Sequence, residues 1–154
     1  MRAHRFLIAV LAAVLAVGVT AEPAAAGSKC QCTAYVAKVT GRMGIMYAYQ
    51  APKALARKGY HRYYPSPYGR HPRNGDIVVM RPGVLGASYM GHIGFVAGWK
   101  MKKNGQMVLW LRSANYRGLR TFRHLGCSNV SVARLPWGGT FRASTNGLVF
   151  FRRR

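Results

Sequence analysis

Apolar positions along the chain change from helical to strand spacing about halfway. Cys32, Tyr35, Val36, Val39 and Met43 fall at i, i+3, i+4, i+7 and i+11, one face of a helix. Ser28 or Gln31 stands near its start. A second, shorter helix is predicted from Pro52 to Lys58, because proline suits the first turn and Gly59 suits the residue just past the end. Tyr60 to Arg73 holds Pro65, Pro67 and Pro72 among four tyrosines and reads as an extended loop. After Asn74-Gly75 the pattern becomes β. Strands are predicted from Asp76 to Met80, closed by Arg81-Pro82-Gly83, then from His92 to Trp99, Met107 to Ser113 and Val130 to Leu135. Helices first and antiparallel strands after them predict an α+β domain.

One turn carries a register. Asn104-Gly105 is the strongest short hairpin signal. As a two-residue turn it pairs Lys103 with Gln106. His92 then lies opposite Arg117, Gly94 opposite Asn115 and Val96 opposite Ser113. Cross-strand partners share a face, as do residues two apart on a strand. One face is therefore expected to carry His92, Gly94, Val96, Ser113 and Asn115. The other is expected to carry Ile93, Phe95, Ala97 and Trp99.

The N-terminus fits neither spacing. Arg2 and Arg5 precede an apolar run from Phe6 to Val19, and Glu22-Pro23 leads into Ala24-Ala25-Ala26-Gly27. This order predicts a cleavable signal peptide over residues 1–26. The run is shorter than the roughly 20 residues of a spanning helix. The expected mature chain is a single domain over residues 27–154, with its core at about 28–135 and a basic C-terminal extension at 136–154. It is expected to be exported, periplasmic or secreted, where disulfides form. It is also expected to be monomeric, without an integral membrane segment.

Composition narrows the chemistry. The 154 residues hold 24 Lys plus Arg against 2 Asp plus Glu, a formal net charge of +22. Half of them are hydrophobic, which supports a folded core rather than disorder. With Glu22 and Asp76 as the only acids, paired-carboxylate glycosidase chemistry and EF-hand calcium sites are excluded. Asp76 is expected to accept backbone N–H bonds near the Asn74-Gly75 turn or to pair with an arginine. His61, His71 and His124 stand in basic, loop-like contexts and are expected to be solvated. The charge excess should attract polyanions. Arg62, Arg70 and Arg73 interleave with tyrosines, and the chain ends Phe150-Phe151-Arg152-Arg153-Arg154. Such mixtures serve nucleic-acid grooves. For an exported protein, an anionic cell-envelope polymer is the expected partner ahead of nucleic acid.

Cys32 is the candidate nucleophile. It opens the predicted helix, whose N-terminal partial charge favours thiolate, and the surrounding cations lean the same way. A cysteine nucleophile needs a base and a group that orients the base. His92 begins a strand after Gly91, and Asn115 follows on the same predicted face. Three cysteines leave the pairing open. Joining Cys30 to Cys127 frees Cys32, whereas joining Cys32 to Cys127 ends thiol chemistry. A zinc site from Cys30, Cys32, Cys127 and His92 is a distant third, because C-x-C is not the usual finger spacing.

Gln31-Cys32-Thr33-x-Tyr35-Val36, then Gly75-Asp76-Ile77-Val78-Val79, then Gly91-His92-Ile93-Gly94-Phe95-Val96 resemble the CHAP family, the cysteine- and histidine-dependent amidohydrolases and peptidases. The resemblance spans roughly Ser28 to Leu135. It implies a papain-like α+β fold, with N-terminal helices on a small antiparallel half-barrel. It also implies Cys32 as nucleophile, His92 as general base, and action on cell-wall peptidoglycan without metal or organic cofactor. Gln31 and Tyr35 become oxyanion or substrate contacts. The family's Glu-x-Asn motif appears here as Ser113-Ala114-Asn115, so Asn115 would orient His92, with Ser113 assisting in place of the glutamate. The missing carboxylate leaves an alternative, a catalytically inactive basic module of the same fold that binds anionic wall polymer or nucleic acid.

Overall fold

The computed structural model describes residues 29–66, 69–103, 106–116, 120–137 and 147–154. The segment read as a signal peptide, the Asn104-Gly105 pair read as a turn and Arg117 lie outside the described residues. Two short helices, α1 (Cys32–Thr40) and α2 (Ala51–Arg57), precede all the strands of a seven-stranded antiparallel sheet. Its strands are β1 (Tyr60–Tyr63), β2 (Ile77–Met80), β3 (His92–Met101), β4 (Met107–Ala114), β5 (Thr121–His124), β6 (Cys127–Trp137) and β7 (Leu148–Arg153). They lie side by side in the order β1-β7-β2-β3-β4-β6-β5. The fold is α+β.

The sheet is buried on both faces around its centre, so β2 and the start of β7 read as unbroken apolar runs rather than alternating ones. Ile77, Val79, Ile93, Phe95, Val149 and Phe151 pack against Tyr35 and Val36 of α1 and Leu55 of α2. The opposite face gathers Val78, Met80, Val96, Leu109, Leu111, Leu135, Leu148 and Phe150 into a second core. Val84 and Leu85, from the segment between β2 and β3, cover part of it.

Three expectations are corrected here. The stretch read as an extended loop opens with β1, because Tyr60 to Tyr63 pairs with β7 in the register Tyr60–Arg153 to Tyr63–Phe150. The segment read as a C-terminal extension holds β7, which sits between β1 and β2 with Leu148 to Phe151 buried. Its basic tail hid an apolar half long enough to fill a central strand position. β5 was not anticipated; its burial pattern is nearly all exposed, so it carries no apolar periodicity.

The β3–β4 register also differs from expectation. Met101 pairs with Met107 and Trp99 with Leu109, one residue away from the register that a two-residue turn at Asn104-Gly105 requires. A bulge between Val96 and Gly98 then shifts the register by another residue, so Val96 faces Leu111 and Phe95 faces Arg112. The two shifts restore parity. Extending this register puts Gly94 opposite Ser113, and His92, Gly94 and Val96 share a face with Ser113. Beyond the bulge parity is lost, and Trp99 packs with the second core rather than on the Ile93–Phe95 side.

Candidate active site

The site forms where β3 and β4 part. Val96 N–H donates to Asp76 at 2.8 Å, so alternate N–H groups of β3 face β2 and those of Ile93 and Phe95 face β4. The named β3–β4 pairs begin at Phe95–Arg112. Ile93 N–H therefore points into a gap between the strands, and it donates to the Cys32 thiol. Cys32 is the first residue of α1 and belongs to the helix side of the sheet. His92 is buried and shares its face with Met80 and Val96. From these two sides both residues line one cleft of about 660 Å3, together with Gln31, Asn115 and Tyr116.

The start of α1 is tied down twice. Cys30 and Cys127 form a disulfide with a Cα–Cα separation of 5.4 Å, and Cys32 is a free cysteine. The bridge uses two of the four ligands in the zinc reading. Among the described residues no group of three His, Cys, Asp or Glu is placed to hold a metal. Asn129 adds a second tie: its side-chain oxygen accepts from Cys30 N–H at 2.8 Å, and its amide donates to Cys30 O at 2.9 Å. Nothing in the sequence pattern marked Asn129.

His92 is positioned by packing and one hydroxyl. Gly91 precedes it with φ +72°, where a Cβ would stand 2.6 Å from Met80 O, so only glycine fits. Gly94 makes room across the strands, since a Cβ there would lie 2.7 Å from Ser113 Cβ. His92 Nε2 is 2.9 Å from Ser113 Oγ. The Tyr116 ring stacks on the imidazole with centroids 4.3 Å apart, and its hydroxyl donates to Leu85 O at 2.5 Å. Tyr116 was missed from sequence. Its only signal was its place directly after Asn115.

Asn115 does not reach His92. β4 ends at Ala114, and Asn115 adopts a left-handed backbone with φ 57°, a conformation asparagine tolerates well. The strand alternation that would have carried its side chain to the imidazole stops there. Its amide instead donates to Gln31 Oε1 at 3.1 Å. Tyr35 stands outside the cleft altogether. It is fully buried under α1, edge-on to Phe95, with its hydroxyl 2.8 Å from His124 Nδ1. That contact removes His124 from the solvated group. His71 also leaves it, because it stacks on Trp99 at 4.8 Å.

The electrostatics depart from a simple thiolate picture. Burial pushes the Cys32 thiol above its ordinary range, although the N–H groups of Ile93, Thr33 and Cys32 pull the other way. Burial lowers His92 to about 4. The resting pair near neutral pH is thus an uncharged thiol and an uncharged imidazole. A carboxylate beside the ring would oppose the burial effect, but the partner here is a neutral hydroxyl.

A family model described as CHAP domain matches residues 23–115, well over half of the chain. The chain belongs to the CHAP family. Its members are cysteine- and histidine-dependent amidohydrolases and peptidases, and the chemistry of the family is amide hydrolysis. The CHAP match takes in Cys32, His92, Ser113 and Asn115 and ends at the last of these. β5, β6 and β7 lie beyond the matched residues. Neither a curated protein nor a solved structure matches the chain.

Proposed function

We propose that this CHAP protein is an exported cysteine amidase or endopeptidase that hydrolyses amide bonds of cell-wall peptidoglycan, and that Cys32 and His92 carry the reaction. One observation supports this above the others. A free thiol at a helix start accepts from the Ile93 N–H and lines one cleft with a buried histidine whose Nε2 is engaged by Ser113.

With Ser113 Oγ accepting from Nε2–H, the imidazole lone pair sits on Nδ1, the nitrogen left to take the Cys32 proton. The thiolate attacks the amide carbonyl, and the Nδ1 proton passes to the leaving amine. Water then cleaves the thioester with His92 again as base. The Gln31 side-chain oxygen is held by Asn115, which leaves the Gln31 amide N–H groups free in the cleft to donate to the oxyanion. In this reading Asn115 positions Gln31, and Ser113 takes the family glutamate's place beside the imidazole. The excess of cations holds the enzyme on anionic envelope polymer.

The test is mass spectrometry of purified peptidoglycan incubated with the protein. New amide-cleavage products are expected from wild type and none from folded Cys32→Ala or His92→Ala. Retained cleavage in either variant refutes the assignment, and no cleavage by wild type leaves the non-catalytic binding module.

A further inference from the structure

Away from the cleft, a cavity of about 370 Å3 opens beside the end of β7 and the start of β1, lined by His61, Arg70, Arg73, Arg152, Arg153 and Arg154 among others. Met80 pairs with both His92 and Leu148, so the catalytic histidine lies level with the first residue of β7. From Leu148 to Arg153 the strand rises about 17 Å, which puts this cavity at the opposite end of the sheet.

Its floor is neutralised internally. Asp76, the only acid among the described residues, accepts from Arg152 Nε at 2.8 Å and from a terminal nitrogen at 2.7 Å. The Tyr63 hydroxyl and Arg73 N–H also donate to this carboxylate. The guanidinium of Arg152 lies over the Tyr63 ring and donates to His71 O at 2.8 Å. Nε and one terminal nitrogen of Arg152 are therefore engaged within the fold. Arg70, Arg73, Arg153 and Arg154 are exposed around it, and among the described residues no other Asp or Glu side chain answers them. Planar guanidinium forks converging on one cavity suit phosphate groups.

We propose that this cavity binds successive phosphates of a linear phosphodiester polymer that carries no bases, a polyol-phosphate chain of the cell wall. The nearby aromatic faces argue against nucleic acid, which binds such clefts by stacking its bases. Among the described residues Arg62 occupies one face of Tyr64 at 4.9 Å, His71 stacks on one face of Trp99, and Tyr63 is buried beneath Arg152. The Cys30–Cys127 disulfide also fits an oxidising, extracytoplasmic setting. The wall as the source of the polymer rests on the proposed function; phosphate binding by the cluster does not.

Binding is read on full-length Cys32→Ala protein, where no turnover intrudes. The probes are an inorganic polyphosphate chain and a single-stranded oligonucleotide with the same number of phosphates. Arg70→Gln/Arg73→Gln/Arg153→Gln is compared with Lys38→Gln/Lys53→Gln/Lys100→Gln, which removes equal charge elsewhere. The arginine variant is expected to lose about tenfold or more in polyphosphate affinity, and its salt slope to fall by about two. The lysine variant is expected to lose under about threefold. Single Arg70→Gln and Arg153→Gln proteins carry the same comparison should the triple variant not fold. Equal losses in the two sets would overturn the site, and tighter binding of the oligonucleotide would overturn the base-free partner. Sedimentation with purified walls, before and after chemical removal of their phosphate polymers, reads the source; undiminished sedimentation after removal overturns it.

Discussion

His92 is held by a hydroxyl at its edge and a tyrosine ring on its face, and both supports are neutral. This has a measurable consequence. With the folded-state value lowered to about 4, the unfolded chain binds a proton between roughly pH 6.5 and 4 that the folded chain refuses. The stability contribution is fully present above pH 6.5 and is lost as pH falls toward 4. It is on the order of 3 kcal/mol for this buried group. His124 is lowered as well and acts in the same direction, so the comparison with His92→Gln isolates one residue. Denaturant melts of that variant should fall less steeply between pH 6.5 and 4 than wild type; parallel curves would show that His92 charges in the folded state. Under the proposed mechanism the acid limb of kcat/KM belongs near pH 4, and iodoacetamide should label Cys32 appreciably only above an ordinary thiol's pKa of about 8.5. Ser113→Ala leaves the buried imidazole Nε2 without a partner. It should cost about 1–3 kcal/mol, in stability, in transition-state binding, or divided between them. Activity and melting temperature both unchanged would show that the hydroxyl is a bystander.

At the level of elements, the site depends on strands that stop at the right place. Gly94→Ala should destabilise by about 1–3 kcal/mol, because its methyl would press on Ser113 and on Arg112 O. Activity should fall further than the folded fraction, since Ser113 is displaced from His92. Equal falls would show that only stability was affected. The sequence made α1, β2, β3, β4 and β6 legible, because each carries an apolar rhythm over most of its length. Parity between His92 and Ser113 was legible too, although it survived only because two one-residue shifts in the same direction, one at the connection and one at a bulge, add up to two. Neither leaves a mark in single-residue pattern. Asn115 shows the limit most clearly. Its left-handed backbone takes it out of the alternation on which the face assignment relied. β7 escaped notice because its apolar half adjoins Arg152-Arg153-Arg154, and charge dominated the reading. Phe150→Ala removes a fully buried ring from that strand and should cost about 3–5 kcal/mol; a loss below 1 kcal/mol would mean that β7 contributes little to the core.

Over the whole molecule, the two helices and the sheet bring chemistry to one end of the strands and uncompensated arginines to the other. What joins the N-terminal end of α1 to the start of β6 is the Cys30–Cys127 bridge, whose halves stand 97 positions apart in the chain. Cross-links over such spans remove the most freedom from the unfolded chain, typically 2–5 kcal/mol. Without it, only the Asn129 clip and core packing hold the segment that leads into Cys32 against β6. A chain kept reduced would present its thiol on a loosely anchored turn, poorly aligned with the imidazole. The same cross-link therefore works as an interlock. Under the proposed function, a copy whose bridge stays reduced is expected to be the slower enzyme.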